Sequence, residues 1–232
     1  VNRLLFILLA FGPALCQAEP YWVSWESGWP EEQGWTWGAT DPGPERWLDD
    51  DTLYIDSRAA VGLAGGYYRT EPGAFSLEPG ETFVAQWRVN VWETTFADPG
   101  LGVWADDQYA VSFSLGTDRI YSDYEPGVWA PFAAGQFHDF RVESDNFRTY
   151  WLYIDGAPVL DGAFFDSLLP GSTIDWGDLS SSRGLGQWDY VEYGIVPEPS
   201  ILVCAWVCFS SLLLLKRSGG ALRVFSTEEE LR

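Results

Sequence analysis

Between Thr82 and Trp92 the sequence alternates with a period of two: Phe83, Ala85, Trp87, Val89 and Val91 fall on one side, Gln86, Arg88 and Asn90 on the other. Successive side chains of a strand point to opposite faces, so this pattern builds a half-buried strand and does not suit a helix. Ala110–Leu115 repeats it, with Val111, Phe113 and Leu115 set against Ser112 and Ser114. No long 3.6-residue periodicity interrupts the stretch 19–199. Tyr150–Ile154 runs into Asp155-Gly156 and then Ala157–Leu160. Asp-Gly between two apolar runs predicts a tight hairpin, because a type I′ turn needs positive φ at both central residues. Shorter strands are expected at Thr52–Asp56, Tyr67–Thr70, Ala74–Leu77, Arg119–Ser122, Phe137–Glu143, Thr173–Trp176 and Trp188–Tyr193. That many short strands between Gly and Pro turns predict an all-β protein, a β-sandwich or jelly roll.

The two ends read differently. Arg3, an apolar run from Leu4 to Phe11, and Cys16-Gln17-Ala18 follow the order of a secretory signal peptide, with cleavage expected after Ala18. Val1 stands where Met is expected, which fits a valine-type start codon read literally. Near the other end, Ile201 to Leu215 carries no charge and Lys216-Arg217 follow at once. Fifteen uncharged residues are short for a bilayer, but snorkelling of the basic pair extends their reach, and a transmembrane helix is expected. Arg3 and Lys216-Arg217 on the cytoplasmic side place the middle of the chain outside.

Val196-Pro197-Glu198-Pro199-Ser200, the apolar run and the basic pair together resemble the PEP-CTERM sorting signal of exported bacterial proteins. Pro197, Glu198 and Pro199 match that motif residue for residue. The resemblance implies an exosortase-type membrane protease as partner, with the helix removed and the protein released or held at the cell surface. This chain departs from the family pattern by continuing past the basic pair to Arg232. The expected organisation is therefore a signal peptide (1–18), a β-sandwich (19–194), a sorting signal (195–217) and a cytoplasmic tail (218–232).

Charge and cysteine content bound the function. The segment 19–199 has no cysteine, so no disulfide supports it, and its 8 Arg face 31 Asp and Glu for a net charge of −23. Such a surface excludes a nucleic-acid partner, which requires Lys and Arg against phosphate.

Gly135–Glu143, Tyr150–Gly156, Ile174–Asp178 and Trp188–Val191 resemble the C-terminal half of concanavalin A-like and laminin G-like jelly rolls. That group holds lectins, glucanases and many exported domains, so the fold alone does not fix function. In laminarinase-type members the catalytic carboxylates stand on one strand as Glu-x-Asp-x-x-Glu. Here Glu143-Ser144-Asp145 supplies the first half, and Arg148 occupies the position of the second Glu. The lone His138 is expected to be structural, at the start of a strand, and no Gly-x-Ser-x-Gly elbow accompanies it. No catalytic residues are therefore expected.

Cofactors are expected to be absent. A structural calcium ion, if held, would draw on Asp49, Asp50 and Asp51 or on Asp106 and Asp107, since hard cations take carboxylate oxygens. Trp22, Trp25, Trp29, Trp35 and Trp37 crowd one segment and read either as core and edge cover or as a platform for sugar rings. The leading expectation is a non-catalytic exported surface or extracellular-matrix protein. The alternative is a carbohydrate-binding, lectin-like module holding extracellular polysaccharide, and a glycoside hydrolase is the distant third.

Overall fold

A computed structural model describes residues 21–24 (backbone), 28–40, 42–60, 65–70, 75–94, 99–105, 108–167, 171–178 and 183–197. These lie in one compact unit, Gln17–Val196, apart from Pro197. The signal peptide with Ala18, Trp25, Asp106, Asp107, Glu198, Pro199 and the segment holding Ile201, Leu215, Lys216 and Arg217 lie outside the described residues. Among the described residues no helix is long and apolar enough to cross a membrane.

Among the described residues sixteen strands, numbered in chain order, form two eight-stranded sheets. Sheet A runs β13 (Ala157–Ala163), β12 (Thr149–Ile154), β11 (His138–Ser144), β6 (Glu81–Thr94), β16 (Gly184–Pro197), β4 (Thr52–Asp56), β3 (Glu45–Asp49), with β1 (Tyr21–Ser24) added on β16. Sheet B runs β10 (Trp129–Pro131), β9 (Arg119–Ser122), β8 (Tyr109–Leu115), β7 (Gly100–Ala105), β15 (Thr173–Gly177), β5 (Gly65–Thr70), β2 (Thr36–Ala39), with β14 (Phe165–Asp166) on β8. The fold is an all-β sandwich of antiparallel strands, as the alternation predicted.

The apolar face of β6 is the floor of the core: Phe83, Ala85, Trp87, Val89 and Val91 are all buried. Rings from the two sheets meet between them. Trp87 of β6 stacks on Phe113 of β8 at 6.2 Å, and Trp176 of β15 packs on Trp188 of β16 at 5.0 Å. With no disulfide available, burial of these large aromatics holds the sheets together; truncating one to Ala typically costs about 3–5 kcal/mol.

The turns follow the local chemistry. Asp155 and Gly156 have φ of 50° and 77°, so the β12–β13 hairpin has the predicted turn. The β11–β12 turn brings Phe147 into the core at φ 51°, where the hydroxyl of Ser144 accepts the Phe147 amide (2.9 Å) and donates to the Thr149 carbonyl (2.7 Å). The strand expected at Ala74–Leu77 does not form over its described residues 75–77. Pro72-Gly73 and Pro79-Gly80 flank it, and Phe75 instead plugs the core against Phe83 at 5.2 Å.

β16 changes phase midway. Gly184, Gly186 and Trp188 are buried, Asp189 and Tyr190 are both half-exposed, and burial resumes at Val191 and Tyr193. Two consecutive outward residues mark a bulge-like irregularity. It falls where β16 exchanges one partner for another: Leu185–Trp188 pair with β4, and Tyr190–Tyr193 with β1.

Candidate functional site

The outer face of sheet B carries a row that crosses its strands. Thr36 stands opposite Tyr68, Tyr68 opposite Asp175, Asp175 opposite Gly102 and Gly102 opposite Ser112. The Asp123 amide donates to the Ser112 carbonyl at 3.0 Å, which extends the row by one more step. Asp175 points outward because its neighbours Ile174 and Trp176 are the buried residues of β15. Gly102 leaves room above the sheet, and two groups fill it. A Cβ at that position would overlap both the carboxyl Oδ1 of Asp175 and the outer edge of the Trp104 indole.

The edge of the Trp104 indole and the Asp175 carboxyl therefore share the space that Gly102 leaves. Asp175 Oδ1 is sealed from solvent and has no hydrogen-bond partner, while the residue as a whole keeps accessible surface. Burial pushes its pKa up, the nearby Gly102 backbone opposes this, and the charge of Asp123 adds to the rise, giving about 7. Asp175 thus carries a proton over most of the range below neutral pH, and a neutral carboxyl donates a hydrogen bond where a carboxylate only accepts.

Asp123 is held differently. Its Oδ2 accepts a 2.5 Å hydrogen bond from the Ser112 hydroxyl. It lines an open cleft of about 620 Å³ with Ser114, Tyr121, Arg119 and Thr94 among the other walls. Tyr124, stacked on Phe165 of β14, stands near both acids: burial raises its pKa, and the charges of Asp123 and Asp175 raise it further. Tyr68, 42 % exposed, borders the row on the other side, its ring 3.2 Å from where a Gly38 Cβ would stand. Aromatic surface, a few convergent polar groups and a perturbed acid beside a cleft are the marks of a binding or catalytic site.

The described residues among those singled out by sequence lie elsewhere. Trp35 is in the core, edge-on to Trp176 at 5.7 Å and to Tyr193 at 5.9 Å. Trp29 and Trp37 enclose the guanidinium of Arg46, at 4.9 and 4.5 Å, together with Tyr67 at 5.4 Å. Trp22 belongs to β1, opposite Glu192. Asp49, Asp50 and Asp51 are exposed at the β3–β4 hairpin, where Asp50 takes φ 49°. Among the described residues no three His, Cys, Asp or Glu side chains gather as a metal site.

Glu143 stands on sheet A, opposite Val84 and Trp151 and ion-paired to Arg141, while Asp145 is exposed in the following turn. This half-motif therefore belongs to a different sheet from Asp175. His138, buried at the first position of β11, has one ring nitrogen 2.7 Å from Asp155 Oδ2 and the other 2.7 Å from the Ala133 carbonyl. It fastens the β12–β13 turn to the sheet, a structural role. Pro197 is the last residue of β16.

Sequence reasoning passed over Asp175, Trp104, Asp123 and Tyr68. The local signal was only a polar residue between Ile174 and Trp176 in a short strand. What makes the acid unusual is the register that puts it opposite a glycine on β7.

No protein-family model matches the sequence, and no curated protein matches it either. Solved structures do match in fold. A carbohydrate esterase from Shiga toxin-encoding bacteriophage phi24B aligns over 74 % of this chain and 94 % of its own, with a TM-score of 0.54 and 11 % identity. The cellulose-induced protein Cip1 aligns over 75 % of this chain and 96 % of its own, with a TM-score of 0.49 and 11 % identity. A β-1,3-1,4-glucanase (lichenase) from a mouse hindgut metagenome aligns over 69 % and 92 %, with a TM-score of 0.45 and 11 % identity.

Proposed function

We propose that the chain is a carbohydrate-binding module that holds a neutral polysaccharide on the outer face of sheet B. The observation that carries this reading is the half-buried Trp104 indole, whose outer edge reaches over Gly102 beside the Asp175 carboxyl. An indole face offers an apolar plane to the C–H surface of a sugar, and a carboxyl group at its edge takes or gives a hydroxyl hydrogen bond. Tyr68 lengthens the aromatic border, and the cleft at Asp123 continues the surface beyond one sugar ring. The fold shared with a carbohydrate esterase agrees with this reading. A chain with 34 acidic against 13 basic residues favours an uncharged polymer over an anionic one.

The test is retention of the full-length chain on a panel of polysaccharides: cellulose, xylan, chitin and mixed-linkage glucan. Wild type is expected to be retained on at least one, and Trp104→Ala to weaken that retention by about tenfold or more, the equivalent of a lost stacking contact. No retention on any polymer, or retention indifferent to both Trp104→Ala and Tyr68→Ala, overturns the assignment.

Export and surface placement rest on the sequence of residues at the two ends of the chain. Pro197-Glu198-Pro199 follows the sandwich with β16 ending on its first proline, and two prolines keep such a stretch extended for a protease. In a host that has an exosortase-type protease, a Pro197→Ala, Pro199→Ala variant should accumulate unprocessed. Processing equal to wild type would remove the sorting assignment.

A further inference from the structure

Gly102 leaves a notch in the outer face of sheet B, and side chains from two strands fill it. Asp175 Oδ1 and the nearest carbon of the Trp104 indole each lie 2.4 Å from the point a Gly102 Cβ would occupy, so they stand within twice that distance of each other. The oxygen has no hydrogen-bond partner and is sealed from solvent. Trp104 is half-buried two residues along the same strand as Gly102, and its indole edge reaches back to close the notch from one side.

Little around the carboxyl supports a charge on it. β7 faces it with Gly102 and Trp104, neither of them titratable. The Gly102 backbone favours the charged form, and burial outweighs it. β5 places Tyr68 opposite, a phenol whose ring leans the other way, over Gly38 of β2. Arg69, the cation of β5, stands opposite the buried Ile174 and donates to the Gln33 carbonyl at 3.3 Å. From the segment after β9, Asp123 adds a negative charge and Tyr124 a second phenol. A sealed carboxyl oxygen with an anion as its charged neighbour stays neutral, and it ionises only when water reaches it. The indole edge occupies the room that water would need.

We propose that Asp175 gates the polysaccharide platform by pH: the neutral carboxyl stays in the notch and fixes the Trp104 indole for stacking, and its ionisation brings in water, shifts the indole and releases the polymer. The proposal rests on the binding reading above and adds its regulation. One proton decides between two arrangements of a shared space, because each side chain fills room beside the other. The polymer selects the neutral arrangement, so polymer and proton bind together. The change falls near neutral pH, where Asp175 titrates at about 7. Acid retains the polymer and alkali releases it.

The experiment measures affinity of the full-length chain for cellulose, xylan, chitin and mixed-linkage glucan at about pH 5.5 and about pH 8.5, on either side of that titration, for wild type, Asp175→Asn and Asp123→Asn. Wild type should lose about tenfold or more between the two, since each pH unit above the titration point lowers the neutral fraction by up to about tenfold. In Asp175→Asn, which is uncharged and of the same shape, the ratio of the two affinities should stay within about twofold, whatever their level. Asp123→Asn removes the neighbouring charge, so the midpoint of the pH profile should move down by about half a unit or more. Without polymer, the Trp104 indole N–H signal, assigned by its loss in Trp104→Phe, should shift through the same pH interval in wild type and hold still in Asp175→Asn.

Wild type retained equally at both pH values, or an equal loss in Asp175→Asn, overturns the gate and leaves the binding reading standing. Where Asp175→Asn does not fold, the other two measurements decide: an unmoved Asp123→Asn midpoint, or a wild-type indole signal that does not titrate, overturns the gate. No retention on any polymer at either pH overturns the binding reading and the gate with it.

Discussion

The guanidinium of Arg46 lies 4.5 Å from the ring centroid of Trp37. Arg46 belongs to the outermost strand of sheet A and Trp37 to the outermost strand of sheet B. Trp29 and Tyr67 contribute further ring faces, and Arg46 also contacts the Tyr67 hydroxyl and the Glu31 carboxylate. One cation thus fastens the two sheets along the edge where both end.

Replacing this side chain tests the closure. Arg46→Ala should lower unfolding stability by about 2–3 kcal/mol, the sum of a partly desolvated cation–π contact and charge-assisted hydrogen bonds. Arg46→Lys should recover little of it, because an ammonium neither lies flat on indole nor forks to two oxygens. Urea midpoints of the three proteins check this; equal midpoints for Lys and Arg would contradict it.

Gly102→Ala places a methyl group where the Trp104 edge and the Asp175 carboxyl now are. The expected result is a loss of about 1–3 kcal/mol, the usual range for overpacking, together with lost polysaccharide retention. A wild-type melting temperature with intact retention would show that neither group needs that space.

Asp175 gives the fold a pH dependence of known sign. Its pKa is raised by burial from 3.8 to about 7, so its contribution to stability is full below pH 3.8 and is lost as pH rises through 7. Asp175→Asn should flatten that segment of the stability profile. The difference between wild type and variant should change by something on the order of 2–4 kcal/mol between pH 4 and pH 8, read from urea unfolding at each pH.

Asp155 has the opposite sign. Desolvation would raise its carboxyl, but hydrogen bonds with His138 and the Asp139 amide outweigh this and hold it below its usual range. Its contribution is present above pH 3.8 and fades as pH falls through the lowered value. Asp155→Asn should cost about 1 kcal/mol at neutral pH, a discounted figure for a largely exposed group, and progressively less toward pH 2. A penalty constant down to pH 2 would deny the His138–Asp155 contact its role.

The fold was legible wherever burial alone writes the pattern. β4 and β9 match their expected bounds, and β6, β8, β11 and β12 differ by a residue or two at their ends. β7 and β2 were not visible because glycines at 100, 102 and 38 replace the side chains that would have completed an alternation. β3 was hidden for another reason: Arg46 occupies an inward position, and a charged residue there reads as solvent-facing until its aromatic cage is seen. The candidate site was invisible because every local segment is ordinary. Asp175 on β15, Gly102 and Trp104 on β7 and Asp123 after β9 meet only through sheet register, which no single strand encodes.

The pairing of β1 with β16 has a kinetic consequence. Tyr21–Ser24 find their partners only at Tyr190–Tyr193, some 170 residues later, and the strand receiving them also sits between β6 and β4 at the heart of sheet A. A chain emerging from its N-terminal end therefore has no means of completing sheet A until almost all of the sandwich has appeared. Such long-range closure makes folding slow, and the growing chain keeps the central edge of sheet A unpaired until its synthesis is almost complete.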